Sequence, residues 1–101
     1  MKTLVVSIFA VALLGAGVVN AQAYTGQALE KNAKISMVQA TDIVLKARPG
    51  QITDKELERE AGGSGLRYSF DVKSDGVTYE VGVDAQSGKV LENNPEGANP
   101  D

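Results

Sequence analysis

Two stretches of this chain carry side chains whose types and spacing invite chemistry. The first is Asp84-Ala85-Gln86-Ser87-Gly88, where oxygen-bearing residues crowd five positions between apolar runs. A calcium loop draws six to eight oxygens from several carboxylates at alternate positions. Here there is one carboxylate, and Ala85 offers no side-chain ligand. The stretch reads as a turn between strands, with Asp84 bonding forward as an Asx turn and Gly88 supplying a left-handed residue. The second stretch carries Glu56, Glu58 and Glu60. It reads as a solvated charge run, and it also motivates an alternative function, a cation or small-ligand sensor.

Nothing else suggests a reacting centre. The chain has neither His nor Cys. This removes the usual general base near neutral pH, the commonest transition-metal ligand and the thiolate nucleophile. Zinc enzymes and Ser-His-Asp or Cys-His hydrolases are excluded by composition. The remaining Ser and carboxylates form no recognisable constellation, so no catalytic residue, cofactor or metal ligand is assigned and a non-enzyme is expected. The net charge is −3 and no basic run occurs, which argues against nucleic acid as a partner.

The elements that must position these residues begin after an unusual first segment. Lys2 is the only charge before Glu30, an apolar run extends from Leu4 to Val19, and Ala21-Gln22-Ala23 follows. A positive start, an apolar middle and a small-residue site make a secretory signal peptide over residues 1–23, cleaved after Ala23 or, as a second choice, after Ala21. The protein is then expected to be exported, to periplasm or extracellular space, and to hold no membrane segment after cleavage. Without Cys, an exported domain this small must be held together by its core or by a partner.

Residues 24–34 read as a flexible lead-in. Ser36 to Gln39 fits a capping box, and apolar residues at 37, 40, 43, 44 and 47 follow with helical spacing. Pro49-Gly50 stops that helix. Gln51 to Glu60 is locally helix-favouring: Leu57 and its charged neighbours are good helix formers, and its period-two pattern is poor. A loop with Gly62, Gly63 and Gly65 comes next. Leu66 to Lys73 and Val77 to Asp84 then alternate apolar with polar around Asp75-Gly76, the mark of a hairpin. Lys89 to Glu92 starts a further strand, and Asn93 to Asp101 reads as a disordered tail.

The expected core is Ile35, Ala40, Ile43, Val44, Ile52, Leu57, Leu66, Tyr68, Phe70, Val72, Val77, Tyr79, Val81, Val83 and Val90. Arg67, Asp71, Lys73 and Glu80 fall on the other sheet face. Opposite charges there would make it a solvated surface or a docking surface for a protein partner.

In order and spacing, Ile35-Ser36-Met37-Val38-Gln39-Ala40, Ala47-Arg48-Pro49-Gly50, Tyr68-Ser69-Phe70-Asp71-Val72, Tyr79-Glu80-Val81-Gly82-Val83-Asp84-Ala85 and Ser87-Gly88-Lys89-Val90 resemble the PepSY domain of peptidase propeptides. The resemblance covers residues 35–92. It implies an α+β fold, one α-helix packed on a three- to four-stranded antiparallel β-sheet, with residues near 51–60 a strand rather than a helix. Lys55 departs from the family pattern, which has an apolar residue there. The resemblance also implies a non-enzymatic modulator that restrains a secreted or envelope peptidase by protein–protein contact, and carries over no inhibitory residues. Exposed strand edges at 52–58 or Lys89 to Glu92 are then the candidates for pairing with a partner strand. A second copy of the chain is the alternative partner.

Overall fold

The structure, a computed structural model, describes residues 23–97. The signal segment expected at 1–23 falls outside the described residues apart from Ala23. The described chain is one helix, α1 (Met37–Ala47), and four strands, β1 (Gln51–Arg59), β2 (Leu66–Ser74), β3 (Val77–Asp84) and β4 (Val90–Pro95). The strands form one antiparallel sheet in chain order. The fold is therefore α+β, a helix on a four-stranded antiparallel sheet. Among the described residues, no helix is long and apolar enough to cross a membrane.

The capping box starts α1. Ser36 Oγ accepts from the Gln39 N–H, and the Ser36 N–H donates to Gln39 Oε1 at 2.8 Å. Met37, Ala40 and Val44 turn inward at helical spacing. Pro49 and Gly50 redirect the chain into β1, and Gly50 is required by contact. A Cβ there would stand 2.4 Å from the Lys73 carbonyl oxygen.

Residues 51–59 form a strand against their local helix preference, because pairing with β2 outweighs a propensity worth only tenths of a kcal/mol per residue. The poor alternation has a physical cause. Ile52 pairs with Val72 but the next pair is Asp54 with Asp71, so the register shifts at Thr53. This bulge reverses the side-chain parity. Ile52 and Leu57, five residues apart, thereby reach the same face, and Asp54, Glu56 and Glu58 take the other. Lys55 shares the helix-side face with Leu57, where it is half-buried at the middle of β1.

The core lies between α1 and the sheet. Tyr68, Leu57, Val44, Val72, Val81 and Val83 are its largest fully buried members. Val77 and Val90, expected inside, are exposed at 43 % and 36 %, each as the first residue of its strand. Met37 and Ala85 take inner positions instead.

Two segments expected to lack order are built into the fold. The lead-in forms a 3₁₀ helix, Gln27–Asn32, and Tyr24, Leu29 and Ala33 pack against the core. The Leu57 N–H donates to the Thr25 carbonyl, and the Lys34 and Ile35 N–H groups both donate to the Ala85 carbonyl. At the other end β4 continues to Pro95. Asn93 Oδ1 accepts from Arg48 Nε at 3.1 Å, and Asn93 Nδ2 reaches the Ala47 carbonyl at the end of α1. Its Asn and Pro residues suggested a tail; these bonds and β3 pairing hold residues 93–95 in the sheet. Residues 98–101 fall outside the described residues.

Candidate functional site

The turn residues fall where the chain reverses. Asp75 (φ 51°) and Gly76 (φ 79°) both have positive φ, as the tight β2–β3 hairpin requires. Asp84 ends β3, and its carboxylate is buried with four donors around it. Oδ2 accepts from the Gln86 and Ser87 N–H groups and from Ser87 Oγ, and Oδ1 accepts from the Ser64 N–H at 2.7 Å. Burial alone would raise this carboxyl's pKa, but the bonds from Ser64 and Ser87 outweigh it and hold Asp84 well below the usual carboxylate range. Four N–H and O–H donors around a carboxylate repel a cation, so 84–88 is an architectural turn. Gly88 (φ 80°) closes it beneath Ile43 of α1.

The bond from Ser64 was not visible in the sequence, because its partner lies twenty residues away in the Gly-rich loop. That loop packs tightly: a Cβ on Gly63 would stand 2.6 Å from Asp84 Oδ1.

The surface that invites function is the sheet face turned away from α1. The register places Asp54, Glu56 and Glu58 of β1 beside Asp71, Ser69 and Arg67 of β2, then Glu80 and Gly82 of β3, then Glu92 and Asn94 of β4. No helix covers it. An open trough of about 260 Å³ runs across this face, lined by seven carboxylates and no basic residue.

The opposite charges expected across the strands occur at Arg67, which stands opposite Glu58 and pairs with Glu92, but not along the rest of the face. Asp54 stands opposite Asp71, and Asp71 opposite Glu80. Oxygens of Asp71, Glu80 and Glu96 lie within 4.8 Å of one another. Burial and then the charges of Glu58 and Asp54 push the Glu56 carboxyl up; burial and then Glu96 and Asp54 push Asp71 up. Glu58 Oε2 accepts from Ser69 Oγ.

Of the four residues expected on a partner surface, Asp71 and Glu80 line this trough and Lys73 is exposed at the end of β2. Arg67 is not available to a partner. It is 7 % exposed, and its stem crosses Gly82, where a Cβ would stand 2.9 Å from Arg67 Cδ. Its guanidinium pairs with Glu60 at 3.2 Å and Glu92 at 3.4 Å and donates to the Ala61 carbonyl. The long apolar stem needs cover and the flat neighbour supplies it. Arg67 ties the Gly-rich loop to β4 and closes one end of the trough.

The acidic face did have a sequence signal. Asp54, Glu56, Glu58 and Glu60 recur at every second position, which on a strand is a single face. Read as a helix, the same residues scatter around the axis.

The strand edges differ from expectation too. The middle of the β1 edge is occupied by Thr25, which bridges Glu56 and accepts from Leu57, so 52–58 is not a continuous free edge.

A family model described as PepSY, peptidase propeptide and YPEB domain, matches residues 34–94, more than half of the chain. Comparison with curated proteins and with solved structures returned no match.

Proposed function

The chain belongs to the PepSY family, and from that premise we propose that it is a non-catalytic binding module that restrains a secreted or envelope peptidase through protein–protein contact. The observation that carries this reading is the uncovered sheet face. Among the described residues a whole face of four strands carries no packed layer, and the trough across it is lined by carboxylates, with Arg67 and Lys73 on the same face outside that lining. That is the arrangement of a surface that meets another molecule. The absence of His and Cys and the use of Asp84 and Arg67 as structural ties leave no nucleophile–base pair for chemistry. The signal-peptide pattern of residues 1–23 supports a module that acts outside the cytoplasm, where such a target would be met.

The test is steady-state hydrolysis of a protein substrate by the peptidases exported from the same cells, with and without the purified protein. Lowered hydrolysis that saturates with added protein is the expected result. Unchanged hydrolysis at large molar excess overturns the reading.

The second reading, a cation sensor, is favoured by one observation: the convergence of Asp71, Glu80 and Glu96. Calcium that raises the thermal midpoint, with loss of the effect in Asp71→Asn, would support it. No shift removes it.

A further inference from the structure

We propose that hydrolysis of the Ala23–Tyr24 bond builds a structural charge into the fold: the α-ammonium it leaves on Tyr24 seats on the edge of β1 beside Asp54. This goes beyond the binding-module reading and shares with it only the signal-peptide pattern of residues 1–23.

The first argument is register. Thr25 forms a parallel bridge with Glu56. Parallel chains advance together, so the preceding residues fall in step, Tyr24 beside Lys55 and Ala23 beside Asp54. Ala23 to Thr25 and Ile52 to Lys55 line one open trough of about 490 Å³. Paired chains run about 4.8 Å apart. The Tyr24 nitrogen, bonded to the Ala23 carbonyl, is thus within reach of the Asp54 side chain.

The second argument is charge. Tyr24 packs against the core and Lys55 shares the face of Leu57, while Asp54 and Glu56 take the other face. These are the charged groups beside the new terminus: two carboxylates on its outer side and one ammonium turned the other way. Asp54 also stands opposite Asp71, and opposed like charges destabilise a sheet. A cation held at this edge offsets that repulsion.

The third argument is where the fold takes hold of the chain. The Tyr24 carbonyl accepts from the Gln27 N–H at 3.2 Å, and the Tyr24 hydroxyl donates to Glu30. The Thr25 carbonyl accepts from the Leu57 N–H. Ala23, one residue earlier, is exposed. A cut after Ala21 would carry the ammonium two residues, about 6.6 Å, further along the chain and away from Asp54.

The chemistry is amide hydrolysis by a signal peptidase. The Ala23 carbonyl carbon takes the hydroxyl of water and the Tyr24 nitrogen takes the hydrogen. The acid's proton then passes to the amine, whose ordinary pKa is about 8, leaving a carboxylate and an ammonium at neutral pH. Before the cut this nitrogen is a neutral amide. The fold therefore gains the contact only in the processed protein.

The experiment has two parts. Intact mass and N-terminal sequencing of the protein from the exported fraction of its own cells should show a chain that begins at Tyr24. A chain that begins at Gln22, or one left uncut, overturns the proposal. The purified chain 24–101 is then compared, free and N-acetylated, in the parent and in Asp54→Asn. Acetylation removes the charge and leaves the backbone. At neutral pH and low salt it should lower the parent's thermal midpoint by about 3 °C, the size of an exposed ion pair in a small domain. High salt should remove most of that difference. Asp54→Asn should remove it too, and comparing within each background cancels the relief of the Asp54–Asp71 repulsion. In the labelled protein the Asp54 carboxyl carbon shift should follow the titration of the ammonium above neutral pH and stay still in the acetylated form. An unchanged parent midpoint, an equal loss in Asp54→Asn, or a carboxyl shift that ignores the ammonium overturns the proposal. Neither part measures restraint of a peptidase, so a failed inhibition assay beside these results retires the functional reading alone.

Discussion

The Asp84 carboxylate and the Ser64 N–H meet at 2.7 Å across twenty residues of chain. One oxygen of Asp84 thereby holds the Gly-rich loop, and the other holds the turn to β4 through Gln86 and Ser87. The two loops at this end of the sheet are ordered by one buried charge.

Replacing Asp84 with Asn puts an amide NH₂ where one of these oxygens accepts. At least one backbone N–H then faces a donor at a site only 3 % exposed. Asp84→Asn is expected to cost about 2 kcal/mol, the worth of a hydrogen bond to a charged group. Urea denaturation reads the loss, and hydrogen exchange at Ser64 and Ser87 shows where it falls. An unchanged midpoint with retained protection at both amides would contradict the latch.

Arg67 offers a second, separable test. Arg67→Ala removes the guanidinium from between Glu60 and Glu92 and the stem from above Gly82. Breaking a buried ion pair from one side typically costs about 3 kcal/mol. Glu60 and Glu92 keep part of their solvent contact, so the expected loss is about 2 kcal/mol. Arg67→Met keeps the stem and should recover part of it. Denaturation midpoints of the two variants decide whether charge or packing carries the role. Equal losses would place all of it in the charge.

How much of this was legible in the sequence depends on how far each determinant lies along the chain. The capping box at Ser36 and Gln39, the Pro49-Gly50 stop and the Asp75-Gly76 turn are local, and each is read from adjacent residues. The antiparallel sheet under one helix, and the strand near residues 51–60, followed from the family resemblance. What escaped the sequence was non-local. The Thr53 bulge exists only relative to β2, and it alone explains why Ile52 and Leu57 share a face. Arg67 looks like a surface residue until Gly82, on the neighbouring strand, supplies the groove for its stem. The lead-in looks flexible until Leu57 and Ala85 turn out to bond to its backbone. The acidic face was visible as spacing, yet its meaning depended on knowing that residues 51–59 form a strand.

The docking of the lead-in hangs on Gly26. Its φ is 85°, and a Cβ there would stand only 1.7 Å from the Leu57 carbonyl oxygen. No rotation relieves a clash with backbone, so Gly26→Ala must lift the segment off β1. The Leu57 N–H loses its bond to Thr25, and Tyr24 and Leu29 lose their packing. The expected loss is about 2 kcal/mol, from the contacts of two partly buried side chains and a strained φ. Limited proteolysis should cut within residues 24–34 in the variant and spare them in the parent. Equal resistance in both would show that the segment does not depend on this approach.

Stability against pH should show a maximum on the acid side of neutrality, because two sets of carboxylates pull in opposite directions. Glu56 and Asp71 have folded pKa values raised by burial and by neighbouring charge, from ordinary values of 4.5 and 3.8. The folded state therefore binds their protons more tightly than the unfolded chain does, and stability rises as pH falls through their raised values. Asp84 is lowered from 3.8, so the stability it gives is complete above that value and drains away as pH falls below it. Between these ranges both contributions are favourable, which puts the maximum somewhat above pH 4. Neutralising one carboxylate of the face imitates the first effect at neutral pH. Glu56→Gln is expected to stabilise the protein by about 0.5 kcal/mol at pH 7, the size of an exposed charge interaction, and to flatten the rise toward acid. Thermal midpoints of the parent and Glu56→Gln from pH 7 to pH 3 measure both. A parent curve that falls steadily from neutrality, or a variant less stable than the parent at pH 7, would mean that burial and neighbouring charge do not disfavour the ionised carboxyls of this face in the folded protein.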